Sequence, residues 1–297
     1  MTSNYKGRFA PTPSGPAHLG TLLAAVGSYL QAHANQGEWH VRIDDADPPR
    51  EVQGAADSIL RTLENYGLTW NGPVVYQSQR LEAYQDALQQ LVQQGDTFEC
   101  SCSRKDISAI AQSGPNGMIY PGTCRNSIHN LEKPRAVRLQ SQDNLIIVKD
   151  KIQGNYSLNM EQDVGDFIIR RADGLFAYHL ATVVDDALDG FTEIVRGKDQ
   201  LSLTPQHIYL QQQLGMTTPD YAHLPLLTNK QGEKLGKSAK AAAIDSLSSQ
   251  DVWKTIFNAL GLSPEDDLLS ENHNTILLWA VGEWDLLQVS ARDKIVG

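Results

Sequence analysis

The stretch Gly7–Ala34, GRFAPTPSGPAHLGTLLAAVGSYLQAHA, restricts what this chain can fold into more than any other. A strand-like run over Tyr5–Ala10 enters a turn in which Pro11, Pro13 and Pro16 limit φ and the flanking glycines relieve crowding. Leu19, Leu22, Leu23, Val26 and Leu30 then recur at three- and four-residue spacing, which predicts a helix starting near His18. Strand, tight turn and helix N-terminus together bind anions, because the first backbone N–H groups lack partners and the helix dipole is positive there. His18 stands at that mouth, and Gly20 leaves room for a flat base or a sugar. Taken alone, His18 reads first as a helix-capping histidine. The pattern differs from the dinucleotide fingerprint, which places G-x-G-x-x-G directly after the strand.

Residues 1–98 continue this alternation. A strand over Trp39–Ile43 precedes the carboxylate cluster Asp44, Asp45 and Asp47, the place where ligands collect in open α/β sheets. Amphipathic stretches over 51–66 and Gln79–Gln94 predict two more helices, so the class is α/β with a mostly parallel sheet covered on both faces. From about 99 the pattern breaks into short strands, including Ala136–Leu139 and Leu145–Lys149, separated by a Gly/Pro/Ser-rich stretch over Gln112–Gly122. This reads as a small inserted domain over 99–165. A regular α/β pattern resumes over 166–245, and 246–297 reads as helical and irregular.

Composition removes several classes of function. A chain of 297 residues with 41% hydrophobic and 20% charged residues is of ordinary globular type and about two domains long. Its apolar runs are too short to span a bilayer, and no charged-then-apolar segment suggests export, so no membrane is expected. Three cysteines within 25 positions argue for a reducing compartment, and the expected location is the cytoplasm. A net charge of −10 argues against a strongly basic nucleic-acid binder and against DNA as a partner. Local basic faces can still hold RNA, and Arg104–Arg171 carries ten Lys/Arg against seven Asp/Glu.

Two further motifs bear chemistry. Lys234-Leu235-Gly236-Lys237-Ser238 is not a phosphate loop of the G-x-x-x-x-G-K type, because Gly232 and Gly236 enclose only three residues. Cys100-x-Cys102 and Cys124 offer three thiolates, and zinc prefers four tetrahedral ligands. On this chemistry alone, a zinc site and three free thiols remain equal alternatives.

His18-Leu19-Gly20-Thr21 resembles the HIGH signature of class I aminoacyl-tRNA synthetases, with Thr21 in place of the final His. Lys234–Ser238 resembles their KMSKS loop, with Leu235 for Met and Gly236 for the first Ser. Arg8-Phe9-Ala10-Pro11-Thr12, Val41–Asp47, Phe176–Asp186 and Thr192–Asp199 look like the glutamyl branch of that class. The likeness extends from about Tyr5 to Ser238 and is similar to the glutamyl-Q tRNA(Asp) synthetase family, shortened paralogues of glutamyl-tRNA synthetase.

The resemblance implies a Rossmann-like catalytic domain in two halves, split by a zinc-binding α+β insert that contacts RNA and followed by a short helical segment. It implies ATP-dependent activation of L-glutamate without tRNA, with Mg²⁺ accompanying the nucleotide. Transfer to queuosine at the anticodon wobble position of tRNA(Asp) would follow. His18, Lys234 and Lys237 would be catalytic, and His18, Gly20, Thr21 and Lys237 would hold ATP. Arg8, Phe9, Ala10, Pro11, Thr12, Asp44, Tyr178 and Arg196 would bind glutamate, Asp44 taking the α-ammonium. Cys100, Cys102, Tyr120 and Cys124 would hold one structural Zn²⁺. The 59 residues after Ser238 are expected to be too few for a further anticodon-reading domain of typical size. The alternatives are an ordinary glutamyl-tRNA synthetase charging the 3′ end of tRNA(Glu), a small-molecule adenylyltransferase, and a non-catalytic RNA-binding paralogue.

Overall fold

The computed structural model describes residues 4–234, 244 and 247–296. The first strand, β1 (Lys6–Phe9), runs into the proline-rich turn, and α1 (Leu19–Ala34) leaves it. His18 is the N-cap residue of α1: its backbone is extended, and its Nδ1 accepts the Thr21 N–H at 3.2 Å. After Gly37 the chain returns as β2 (Glu38–Ile43), parallel to β1 with Lys6 opposite Glu38, and β3 (Val75–Tyr76) adds to the other edge of β2.

The helix expected over 51–66 is shorter, α2 (Ala55–Asn65). Pro48 and Pro49 open a 3₁₀ turn over Pro48–Arg50, and Gly54 takes φ +77°, a left-handed conformation that an α-helix cannot run through. The next helix, α3 (Leu81–Gln94), starts two residues later than its periodicity suggests and ends at Gly95 in the αL conformation.

In the second half β11 (Glu193–Gly197) and β12 (Asp220–Leu224) are parallel, joined by α6 (Thr204–Leu214). β11 lies beside β1, and the Thr192 N–H donates to the Lys6 carbonyl at 2.9 Å. The strand order is therefore β3-β2-β1-β11-β12, with the chain direction of build-up reversing between β1 and β11. Such a switch point opens a crevice beyond the carboxyl ends of the strands. Arg8, Asp44 and Arg196 all stand at or just past those ends.

Not all the strands are parallel. β4 (Thr97–Cys100), β7 (Ala136–Leu139) and β10 (Phe167–Arg170) form a separate antiparallel sheet in the order β10-β7-β4. The hairpin of β8 (Leu145–Asp150) and β9 (Gly154–Asn159) is antiparallel within itself, and β8 attaches to β12 through Asp150 opposite Tyr221. The stretch after β10 forms a helix, α5 (Tyr178–Leu188).

Two apolar cores flank the crevice. One gathers α1 with α7 (Ser249–Leu260) and α8 (His273–Glu283), burying Leu30, Trp253, Phe257 and Ile276. Gly27 lets α1 approach β12 closely: a Cβ there would lie 2.6 Å from Leu224 Cδ1. The other core joins α3, α5 and α6 through Leu91, Leu180 and Tyr209. No helix among the described residues is long and apolar enough to cross a membrane.

Candidate active site

One cavity of about 420 Å³ opens at the switch point. Its wall includes Arg8, Phe9, Ala10, Pro11 and Thr12 from the end of β1 and the turn, and His18, Gly20 and Thr21 from the start of α1. Asp44, Tyr178, Arg196 and Lys234 also line it, as do Arg50 and Asp199. Residues up to 226 positions apart thus meet around one space, and all of these but Arg50 and Asp199 are expected glutamate and nucleotide residues. Lys237, with Leu235, Gly236 and Ser238, lies outside the described residues. Lys234 itself is paired with Asp199, Nζ to Oδ2 at 2.5 Å.

Two arginines of the cavity, Arg8 and Arg196, differ in their partners. Arg8 makes a two-pronged pair with Asp186, Nε to Oδ1 at 3.2 Å and Nη2 to Oδ2 at 3.1 Å. Asp186 also accepts from Arg42 Nη1 at 2.7 Å, and Arg42 Nε donates to Asp44 Oδ1 at 2.7 Å. Burial pushes Asp44 upward against the pull of Arg42, whereas for Asp186 the two guanidinium groups outweigh burial and hold it low.

Arg196 instead donates only to neutral acceptors among the described residues. Its Nε reaches His223 Nε2 at 3.0 Å, and its Nη2 reaches Thr204 Oγ1 at 2.8 Å and the Gln200 carbonyl at 3.3 Å. Arginine can only donate, so His223 Nε2 carries no proton, and Nδ1–H of the same ring donates to Asp150 Oδ2 at 2.5 Å. Burial pushes His223 down to about 4 despite Asp150, and pushes His179 down to about 4 and His207 well below its usual range, each aided by the Arg196 charge. Arg196 is therefore a buried cation that no carboxylate among the described residues contacts. A ligand carboxylate entering here would supply the missing countercharge, and its two oxygens match a guanidinium fork.

Arg42, Asp186, Asp150, His223 and Thr204, which hold the cavity's charged side chains directly or through one another, are residues that the motif reading does not single out. A strand-borne arginine in the otherwise apolar run before Asp44 was the one local signal for Arg42. The Asp150–His223 pair leaves no local signal, because its members lie 73 positions apart.

A second constellation lies in the 99–165 stretch. The sulfurs of Cys100, Cys102 and Cys124 all lie within 4.8 Å of one another. Cys102 Sγ is 3.5 Å from Cys124 Sγ, and the Tyr120 hydroxyl is 3.3 Å from Cys100 Sγ and 3.6 Å from Cys102 Sγ. Tetrahedral zinc with sulfur ligands separates its donors by roughly 3.8 Å, so this set fits the ion closely. Burial raises Cys102 to about 11, whereas Cys124 is lowered to about 6 because the Tyr120 hydroxyl and the His129 and Ser101 backbone outweigh its burial.

The fold and the crevice define the catalytic domain of a class I tRNA synthetase. The family model for tRNA synthetases class I (E and Q), catalytic domain, matches residues 5–265. The structure of a glutamate-tRNA synthetase from Elizabethkingia anophelis superposes with a TM-score of 0.78 at 24% identity, over 99% of this chain and 68% of that one. Among sequences, the glutamyl-Q tRNA(Asp) synthetase of Dechloromonas aromatica is 52% identical, over 100% of this chain and 99% of its own. That of Chromobacterium violaceum is 46% identical, over 97% and 96% respectively. The chain belongs to the glutamyl-Q tRNA(Asp) synthetase family within the class I (E and Q) synthetases.

The buried histidines give stability a definite pH dependence. Their folded pKa values lie below the unfolded value of about 6.5, so unfolding takes up protons as the pH falls below that value. Urea midpoints are therefore expected to hold above pH 6.5 and to fall steadily towards pH 5, with His33 and His273, also pushed down by burial, adding the same sign. A midpoint that stays constant over this window would show that the ring nitrogens beside Arg196 protonate freely.

Proposed function

We propose that this protein activates L-glutamate with ATP in the absence of tRNA and then transfers it to queuosine in the anticodon of tRNA(Asp). The observation that carries the first step is the single cavity in which Arg8, Asp44, Tyr178, Arg196, His18 and Lys234 share a wall. The second step rests on near-full-length relatives that bear the name glutamyl-Q tRNA(Asp) synthetase.

In this reading the glutamate side-chain carboxylate pairs with Arg196, Arg8 stands beside it, and Asp44 takes the α-ammonium. An α-carboxylate oxygen attacks the α-phosphorus of ATP, and the bond to the β-phosphate breaks, releasing pyrophosphate with its Mg²⁺. Negative charge grows on the phosphates, so fixed cations and oriented N–H groups do the catalytic work. The α1 N-terminus with His18, Gly20 and Thr21 flanks one side, and Lys234 and Lys237 the other, with Lys234 leaving Asp199. A queuosine hydroxyl then attacks the glutamyl carbonyl, and AMP departs. Glutamine is rejected because its amide cannot neutralise Arg196. Pro11 and the neighbouring Phe9, Ala10 and Thr12 shape the glutamate side of the cavity.

Cys100, Cys102, Tyr120 and Cys124 hold one zinc ion, whose contribution is structural: it ties together a stretch with little apolar core of its own. The domain division follows: 1–98 and 166–245 form the catalytic domain, 99–165 the zinc-bearing, RNA-contacting insert, and 246–297 its helical closure. The enzyme works in the cytoplasm, where its tRNA is.

The transfer test uses labelled glutamate with tRNA(Asp) prepared with and without queuosine, each also trimmed of its 3′-terminal adenosine. Labelling that requires queuosine and survives trimming is expected. Labelling of the 3′ end of tRNA(Glu) would establish the ordinary synthetase reading instead. For the insert, elemental analysis should find about one zinc per chain and Cys100→Ser should release it, whereas a folded, active, zinc-free protein would reject the site.

A further inference from the structure

A second cavity, of about 650 Å³, adjoins the first and shares Thr12, Asp44, Arg50 and Tyr178 with it. Its opposite wall comes from the insert and from β10, including Asn116, Arg138 and Phe167. Nothing in the activation step uses this space.

Three of its wall residues carry a buried polar atom with no hydrogen-bond partner among the described residues: Asn116 Oδ1, Arg138 Nε and His179 Nδ1. Orphaned buried groups of this kind are uncommon, and each one asks for a partner that the described residues do not supply. Two of them are fixed in their chemistry by what the rest of the side chain does. Asn116 Nδ2 donates to the Ser202 carbonyl at 2.7 Å and to Gln206 Oε1 at 2.9 Å, which settles the amide orientation and leaves Oδ1 as an acceptor. Arg138 donates from Nη1 to the Asp166 carbonyl at 2.8 Å, and its guanidinium lies 3.9 Å over the Tyr120 ring. Its Nε–H is thus a held donor. Arg138 is 6% exposed, so the charge and the donor are both desolvated before any ligand arrives.

One held acceptor and one held donor, in a space of nucleoside size beside aromatic Phe167, Phe176 and Tyr178, complement the edge of a guanine-type base. That edge presents N–H donors next to a carbonyl oxygen. Unpaired bases with exposed edges and faces are what proteins recognise in RNA loops. We propose that this second cavity receives the accepting nucleoside of the anticodon, with Asn116 Oδ1 taking a base N–H and Arg138 Nε reaching the base carbonyl. The proposal rests on the transfer reading above and assigns the residues that choose the acceptor. The shared wall of Asp44 and Tyr178 would bring the nucleoside's hydroxyl group next to the glutamyl carbonyl.

The test separates activation from transfer. Asn116→Ala removes the acceptor, and Arg138→Lys keeps a charge over Tyr120 while removing the Nε donor. Both variants should retain glutamate-dependent pyrophosphate exchange within about twofold, which also shows that they fold. Each should transfer glutamate to queuosine-bearing tRNA(Asp) roughly tenfold more slowly, the loss expected for one hydrogen bond to a buried polar group. Free queuosine nucleoside added to the wild-type protein should slow transfer and leave exchange untouched. Transfer at the wild-type rate in both variants, or exchange slowed as much as transfer by variant or nucleoside, would overturn the assignment. A wild-type protein that exchanges pyrophosphate but never labels queuosine-bearing tRNA(Asp) would instead overturn the transfer reading.

Discussion

Arg42 is the charge on which the site is built. It sits in β2 with 1% of its surface exposed, holding Asp44 on one side and Asp186 on the other, with Asp185 at 3.6 Å. Asp186 passes the constraint on to Arg8 in β1, and Asp185 takes bonds from Gln77, Tyr84 and Arg80. Three guanidinium groups and the carboxylates between them thus fix β1, β2, α3 and α5 relative to one another. Buried ion pairs add little net stability, yet removing one partner strands the others and costs about 3–5 kcal/mol. The network acts as a position-setting device: it places Arg8 and Asp44 at the crevice with little freedom to move.

Against this rigid side stands Arg196, whose setting is electrostatically opposite. Arg8 already has a carboxylate; Arg196 has two neutral histidine rings, a threonine hydroxyl and a backbone carbonyl. Asp150 is linked to it through the His223 ring. One wall of the cavity thus holds an arginine in contact with a carboxylate, and the other an arginine that, among the described residues, touches none. Selection between an acid and its amide needs such an imbalance, because the wrong ligand then leaves a buried cation unpaired. The adjoining second cavity lets activation finish in one space before the acceptor occupies the other, with Asp44 and Tyr178 common to both.

Local sequence carried the turn and the ligand-bearing strand ends, because proline, glycine and helical periodicity act over a few residues. His18 shows the limit of that reading: it is an N-cap and also lines the cavity, so its two readings were not exclusive. The start of α2 was misplaced because amphipathic spacing continued through Gly54, whose φ of +77° ends any helix there. The three cysteines and Tyr120 do converge, although their spacing alone allowed free thiols. What the sequence could not disclose are the pairings across the sheet. Arg42 meets Asp186 over 144 positions, and Asp150 meets His223 only because β8 docks on β12. Such contacts depend on tertiary closure and leave no periodic trace.

Arg196, in this proposal, is the glutamate side-chain receptor, set apart from Arg8 by having no carboxylate partner among the described residues. The most direct measurement is a crystal structure with a non-hydrolysable glutamyl-adenylate analogue. The account predicts the side-chain carboxylate within hydrogen-bond distance of the Arg196 guanidinium, the Arg8–Asp186 pair unbroken, and the phosphate against the start of α1. An analogue whose carboxylate instead breaks Arg8 away from Asp186, or whose adenine occupies the space at Arg196, would contradict it.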